Sequence, residues 1–284
     1  MTDAALGRWT GRRLLAVLAH PDDETFGIGG TLALYARRGV SVSLICATRG
    51  ELGEAPPDLR GCATVGDMRE NELRQAASVL GLEAIHFLGY RDSGMAGSPG
   101  NHHSQALAAT PVDQVARQVA GHIRLIRPQV VITFDPIGGY GHPDHIAIQR
   151  ATVEAFRMAG DAGQDINCLP PFSPQKLYYA TFSRRFLRAV VKLMRLFRQD
   201  PHHFGKNRDI DLTSLVDVDF PVHASIATGE VVRLKEQAAA CYVSQGGGGT
   251  SRAQKLQRWF DRSETFMRAI PATPPVGLER DLFE

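Results

Sequence analysis

The stretch Leu14-Leu15-Ala16-Val17-Leu18-Ala19-His20-Pro21-Asp22-Asp23-Glu24 decides the fold. Its first six residues are apolar, too few for a helix and closed by a turn, and read as a strand buried on both faces, as in parallel sheets. The strand runs directly into an imidazole and three carboxylates. Further apolar runs at 40–47, 84–88, 129–134 and 176–180 alternate with helical periods at 27–38, 67–80, 111–127 and 142–158. That alternation is the pattern of βαβ units. The expected fold class is α/β, a Rossmann-like, mainly parallel sheet with helices on both faces. Asp67 and Glu70 suggest a capping box, Gly39 and Gly81 helix stops, and 89–109 a long loop of the kind that usually carries function. The C-terminal part reads as helices over 225–242 and 251–269, broken by the glycines at 246–249.

At about 150 residues per domain, 284 residues suggest two domains, but no clean boundary or internal repeat divides the chain. We read one domain over 1–284 with an insertion around 184–210 and a helical C-terminal extension over 225–270. Thirty-two basic and thirty acidic residues leave a charge of +2, which supplies no footprint for nucleic-acid binding. Four scattered cysteines (Cys46, Cys62, Cys168, Cys241) form no C-x-x-C and read as reduced thiols of a cytoplasmic protein. The first apolar run is too short for a signal peptide and meets Asp22 where a cleavage site would stand, and no segment approaches the about 20 apolar residues of a membrane span.

Two clusters carry chemistry. In the first, the acids beside His20 repel one another, and a divalent cation relieves that repulsion; His20 and Asp23 can converge on one ion across a tight turn. A charged loop that merely caps the next helix is the plainer alternative. The second cluster, Tyr140-Gly141-His142-Pro143-Asp144-His145, follows another strand. With Pro143 at the first helical position, His142 and His145 stand at i, i+3 on one side. One carboxylate and one histidine from the first cluster with one histidine from the second make a 2-His-1-carboxylate set with a position left for water, suited to zinc in a hydrolase or to non-haem iron.

Ala19-His20-Pro21-Asp22-Asp23-Glu24, the glycines at 27–30, Thr48-Arg49-Gly50-Glu51 and Gly141-His142-Pro143-Asp144-His145 together resemble the LmbE-like (PIG-L) deacetylases. That family includes N-acetylglucosaminyl-phosphatidylinositol de-N-acetylases and the deacetylases and amidase of thiol metabolism. The resemblance runs in order from the first strand to Glu236. It implies one Zn²⁺ per chain, with Fe²⁺ as the other candidate, held at the positions of His20, Asp23 and His145. Asp22 is then the general base, Tyr140 or His142 steadies the oxyanion, and Asp144 orients His142. The implied reaction is removal of an N-acetyl group from an N-acetylglucosaminyl conjugate. A thiol-conjugate amidase of the same family and a non-catalytic metal-dependent glycan-binding protein are the alternatives.

Glu51, Arg69 and Asp92 match positions that hold sugar hydroxyls in the family; the plainer reading of Arg69 is an i, i+3 partner of Glu72 on a solvated helix face. Tyr242-x-Ser244-Gln245 resembles the family's late helix, except that a histidine is common where Tyr242 stands. From Arg184 to Arg198 the chain carries five arginines and one lysine with no acid, among apolar residues. Such a helix can lie on an anionic membrane, but packing on the core or on a second subunit is the favoured reading. A dinucleotide-binding domain is disfavoured because Asp22, Asp23 and Glu24 stand where a pyrophosphate would approach. An iron oxygenase is disfavoured because the chain reads as α/β.

Overall fold

The computed structural model describes residues 9–54, 56–181, 218–247 and 262–284, with isolated positions 188, 191–192, 194–196, 200–201 and 213. Most of the basic stretch 184–198 and of the insertion around 184–210 lies outside the described residues.

Five parallel strands make up most of a seven-stranded sheet: β1 (Arg13–Leu18), β2 (Ser41–Thr48), β3 (Ala84–Tyr90), β4 (Val130–Phe134) and β5 (Lys176–Thr181). β6 (Ala224–Ala227) and β7 (Ser263–Ile270) complete it in the order β3-β2-β1-β4-β5-β7-β6. β7 runs antiparallel to both of its neighbours. Leu14 to Leu18 are buried throughout, as expected of a central strand covered on both faces. Strand order reverses between β1 and β4, so a crevice opens at their carboxyl ends, and both polar clusters stand there.

The helices are α1 (Asp23–Arg37), α2 (Val65–Leu80), α3 (Val112–Ile126), α4 (Pro143–Gly160) and α5 (Val232–Cys241). α3 packs on α4, while α5 packs on α1 and α2. The start of α2 lies earlier than the capping box at Asp67 suggests. Thr64 is the N-cap and its hydroxyl accepts from the Asp67 amide at 3.1 Å. α1 starts at Asp23 rather than 27 and breaks at Ile28 (φ −135°, ψ 16°). The break frees the amides of Gly30 and Thr31, which donate to the two Glu264 oxygens at 2.9 and 2.7 Å. A Cβ on Gly30 would stand 2.7 Å from the Thr228 Cβ, so only glycine fits beneath this clamp.

Glu264 also explains the main correction to the expected fold. Of the helix expected over 251–269, 251–261 lies outside the described residues, and 263–270 is a strand. Glu264 and Phe266 alternate into the interior, but a buried glutamate looks polar in the sequence and hides the period of two. It can be buried because Lys235 Nζ, 2.9 Å away, and the two α1 amides satisfy it. The expected helix at 225–242 likewise begins only at Val232, after the strand Ala224–Ala227.

Candidate metal centre and active site

β1 delivers His20 to the crevice, and Pro21 and Asp22 turn sharply into α1. His145 comes from the first turn of α4. Between β4 and α4 the chain passes through Gly138, Gly139 and Gly141, all at positive φ. A Cβ on Gly138 would meet the His145 Cβ at 2.9 Å, so a glycine lets His145 sit against the preceding turn. Asp135 Oδ1 holds that turn by accepting from the amides of Ile137 (3.1 Å) and Gly139 (2.9 Å). The His145 ring stacks on Phe134 with centroids 3.9 Å apart.

The hydrogen-bond partners assign the ring tautomers and so indicate which nitrogens carry lone pairs. His145 Nδ1 lies 3.1 Å from the Gly138 carbonyl, so Nδ1 carries the proton and Nε2 is free to ligate. His20 Nε2 faces Asp144 Oδ2 at 3.1 Å, which leaves His20 Nδ1 as its lone-pair nitrogen. These two lone-pair nitrogens lie 3.2 Å apart. Asp23 closes the set, with Oδ1 3.3 Å from His145 Nε2 and Oδ2 3.5 Å from His20 Nδ1. Bonds of about 2.0–2.2 Å in a tetrahedron place ligand atoms roughly 3.3–3.5 Å apart, so these three donors fit one zinc-sized cation. The charge distribution makes the same demand. Burial alone would depress His20, yet the carboxylates of Asp144, Asp23 and Asp92 raise it well above an ordinary histidine. Burial opposes ionisation of Asp23, and His145 and His20 nonetheless hold it well below the usual carboxylate range.

His142 also comes close, since donor atoms of His20, His142 and His145 lie within 4.8 Å of one another. Its chemistry differs. His142 is the N-cap of α4, and its Nδ1 accepts from the Asp144 amide at 3.2 Å. The neutral ring therefore carries its proton on Nε2 and donates a hydrogen bond instead of a lone pair. Burial first, then the neighbouring His20 and His145, push its pKa down to about 2, so it stays neutral. Tyr140 lies beside both rings, at centroid distances of 5.0 Å from His145 and 6.0 Å from His142.

Asp144 does not orient His142 as expected from the sequence. Its carboxylate points at His20 and is fixed from behind by Ser93, whose amide donates to Oδ2 at 2.9 Å and whose hydroxyl donates to Oδ1. As the second helical residue after the His142 N-cap, Asp144 gives His142 its backbone N–H.

Asp22 adopts φ 110°, in a region that L residues rarely occupy and that recurs at functional sites. Burial raises its pKa to about 6, with Arg69 pulling it down and Asp23 pushing it up. Arg69 is buried, not solvated, and Glu72 is not its partner. Its Nη2 donates to Asp22 Oδ2 at 3.0 Å and to the Pro21 carbonyl at 2.6 Å, and its Nη1 to the Gly50 carbonyl at 3.0 Å. Asp92 Oδ1 lies 3.6 Å from His20 Nε2 and accepts from Gly94 N at 2.8 Å, while Oδ2 accepts from Leu52 N at 3.2 Å. Glu51 Oε2 accepts from the Asp92 amide at 3.1 Å. Glu51 and Asp92 thus brace each other at the rim of the crevice.

Tyr242 is fully buried, and its hydroxyl donates to Glu24 Oε1 at 2.7 Å. Ser93 and Asp135 escape sequence reasoning, as do the bonds of Glu24, Tyr242 and Ser244. Ser93 and Glu24 adjoin recognised residues, but nothing in their spacing announces what they bond.

The family profile described as GlcNAc-PI de-N-acetylase (PIG-L) matches residues 15–156. A 1D-myo-inositol 2-acetamido-2-deoxy-alpha-D-glucopyranoside deacetylase of Thermobifida fusca is 43% identical, over 96% of this chain and 99% of its own. Among solved structures, a conserved protein from Thermus thermophilus superposes with a TM-score of 0.60 at 24% identity, over 93% of this chain and 96% of that one. The 4-carboxy-2-hydroxymuconate hydratase of Pseudomonas putida superposes with a TM-score of 0.57 at 17% identity, over 92% of this chain and 97% of that one. The fold alone therefore does not select the reaction. The matched range contains the donors and the turn described above, and the chain belongs to the PIG-L (GlcNAc-PI de-N-acetylase) family.

Proposed function

We propose that the protein hydrolyses the N-acetyl group of an N-acetylglucosaminyl conjugate, with an inositol glycoside as the substrate indicated by its full-length relative. The observation that carries the reading is the convergence of His20 Nδ1, Asp23 and His145 Nε2 beside Asp22. A divalent cation at these donors, zinc by their chemistry, would acidify water and polarise an amide carbonyl. Asp22 takes the proton as water oxygen bonds to the carbonyl carbon, and returns it to the departing nitrogen as the C–N bond breaks. Acetate and a free amine result. Arg69 keeps the Asp22 carboxylate ionised and aimed. His142 Nε2–H donates to the developing oxyanion, with Tyr140 beside it. Asp144, held by Ser93, fixes the tautomer and orientation of His20. Glu51 and Asp92 face the sugar.

In this reading one domain spans the chain, and the unpaired cysteines Cys46, Cys62, Cys168 and Cys241 agree with a cytoplasmic location. No helix among the described residues is long and apolar enough to cross a membrane. The test is metal analysis of the purified protein together with amine release from N-acetylglucosamine and its inositol and thiol conjugates. Amine release that requires bound metal and is greatest for the inositol glycoside is expected. Metal bound without amine release from any of these substrates would overturn the reading in favour of a glycan-binding protein.

A further inference from the structure

Two buried carboxylates stand behind the Asp22–Arg69 pair, and the chemistry above uses neither. Glu24 Oε2 accepts from the Asp22 amide at 3.1 Å, and its Oε1 accepts from the hydroxyls of Thr25 and, at 2.7 Å, Tyr242. Glu72, one turn beyond Arg69 on α2, accepts from the Ser244 amide at 2.9 Å and from the Ser244 hydroxyl. Tyr242 and Ser244 belong to one turn, where α5 ends and a short 3₁₀ segment, Val243–Gln245, follows. A single late turn therefore grips the carboxylate behind the base and the carboxylate behind its arginine.

The bond from the Asp22 amide bears directly on the site. Asp22 is held at φ 110° while its carbonyl starts α1 by accepting from the amides of Thr25 (3.0 Å) and Phe26 (2.9 Å). Such a backbone persists only where its surroundings over-determine it. Glu24 supplies the amide's acceptor, and Tyr242, fully buried, fixes Glu24 from a position 218 residues away in sequence. On the other side, Glu72 fixes the helix turn that carries Arg69, whose guanidinium must reach Asp22 Oδ2.

We propose that Tyr242 and Ser244 are positioning residues for the Asp22–Arg69 pair, acting through Glu24 and Glu72. The proposal rests on Asp22 being the base.

The experiment uses the full chain loaded with zinc and the inositol glycoside as substrate. It compares Tyr242→Phe, Ser244→Ala, the double variant, Asp22→Asn and, as a control, Tyr35→Phe. Tyr35 is a buried tyrosine whose hydroxyl donates to Asp281 Oδ1 at 3.0 Å and accepts from Leu282 N at 2.7 Å. Loss of one hydroxyl hydrogen bond to a carboxylate should lower kcat about three- to tenfold in Tyr242→Phe and in Ser244→Ala. KM should stay within about twofold and zinc affinity by chelator competition within about threefold. The double variant should lose less than the product of the single effects, because both act on one pair. Tyr35→Phe should lower Tm and leave kcat alone. Wild-type kcat in Tyr242→Phe and Ser244→Ala, with Tm falling as in the control, would overturn the proposal. Should Tyr242→Phe fail to fold, Ser244→Ala decides by the same readouts. An active Asp22→Asn would instead remove the base on which the proposal stands; an inactive one with both positioning variants normal removes the proposal alone.

Discussion

Arg69 and Arg124 are the same residue type, are 4% and 3% exposed, and both sit on helices of the α/β fold, yet they do opposite work. Arg124, on α3, is bound entirely by backbone. Its donors reach the carbonyls of Ala159 (3.0 Å), Gln164 (2.9 Å), Leu169 (3.0 Å), Met158 (3.3 Å) and Asp161 (2.7 Å). It stitches the linker after α4 to the helix end, where carbonyls lack intrahelical partners. Arg69 has two carbonyls and one carboxylate, and its Nε has no hydrogen-bond partner among the described residues. A guanidinium shared among carbonyls builds structure. In the proposed mechanism, one that faces a strained carboxylate beside the candidate cation site adjusts a base.

The largest effect that should separate the two regions is at Asp22. Asp22→Asn should lower kcat about 10³-fold with Tm and bound metal retained, as read from steady-state kinetics and metal analysis. Removing Arg124 should do the reverse. Arg124→Met leaves several carbonyls without donors, and denaturant melts should show a loss of about 3 kcal/mol, with kcat unchanged wherever the protein is folded. A fall in kcat without a stability loss would erase the contrast. Arg69→Gln should lower kcat/KM about 30-fold, a smaller free-energy effect than either. It should also raise the acid limb of the pH profile, because Arg69 favours the ionised form of Asp22.

The smallest effect at neutral pH is the titration itself. The base works ionised, and Asp22, raised to about 6, loses its charge as the pH falls. The kcat/KM profile should therefore drop about tenfold per pH unit on its acid side, with the limb at or below about pH 6 because a bound cation lowers it further. A limb well above that value would assign the titration to another group.

Legibility follows the same division. The parallel part of the sheet is readable because strands covered on both faces are uninterrupted apolar runs, as 14–19 is. The candidate donors His20, Asp23 and His145 are readable because each residue follows a strand end or opens a helix, where backbone geometry limits where a side chain can point. β7 is not readable, because Glu264 is polar by composition and becomes an interior residue only when Lys235 and two helix amides reach it. Adjacency in sequence pairs Asp144 with His142, while folding brings His20, 124 positions away, to its carboxylate.

By itself the sequence determined the α/β class, the strand-end location of the site and the chemical types of its donors, since all three depend on local pattern and on residue chemistry. Tertiary structure alone decided which lone pairs converge, that Arg69 turns inward to Asp22, and that a turn near residue 243 holds both from behind. Those outcomes depend on desolvation and on partners distant in sequence. A buried charge takes its partner from whatever the fold places within reach.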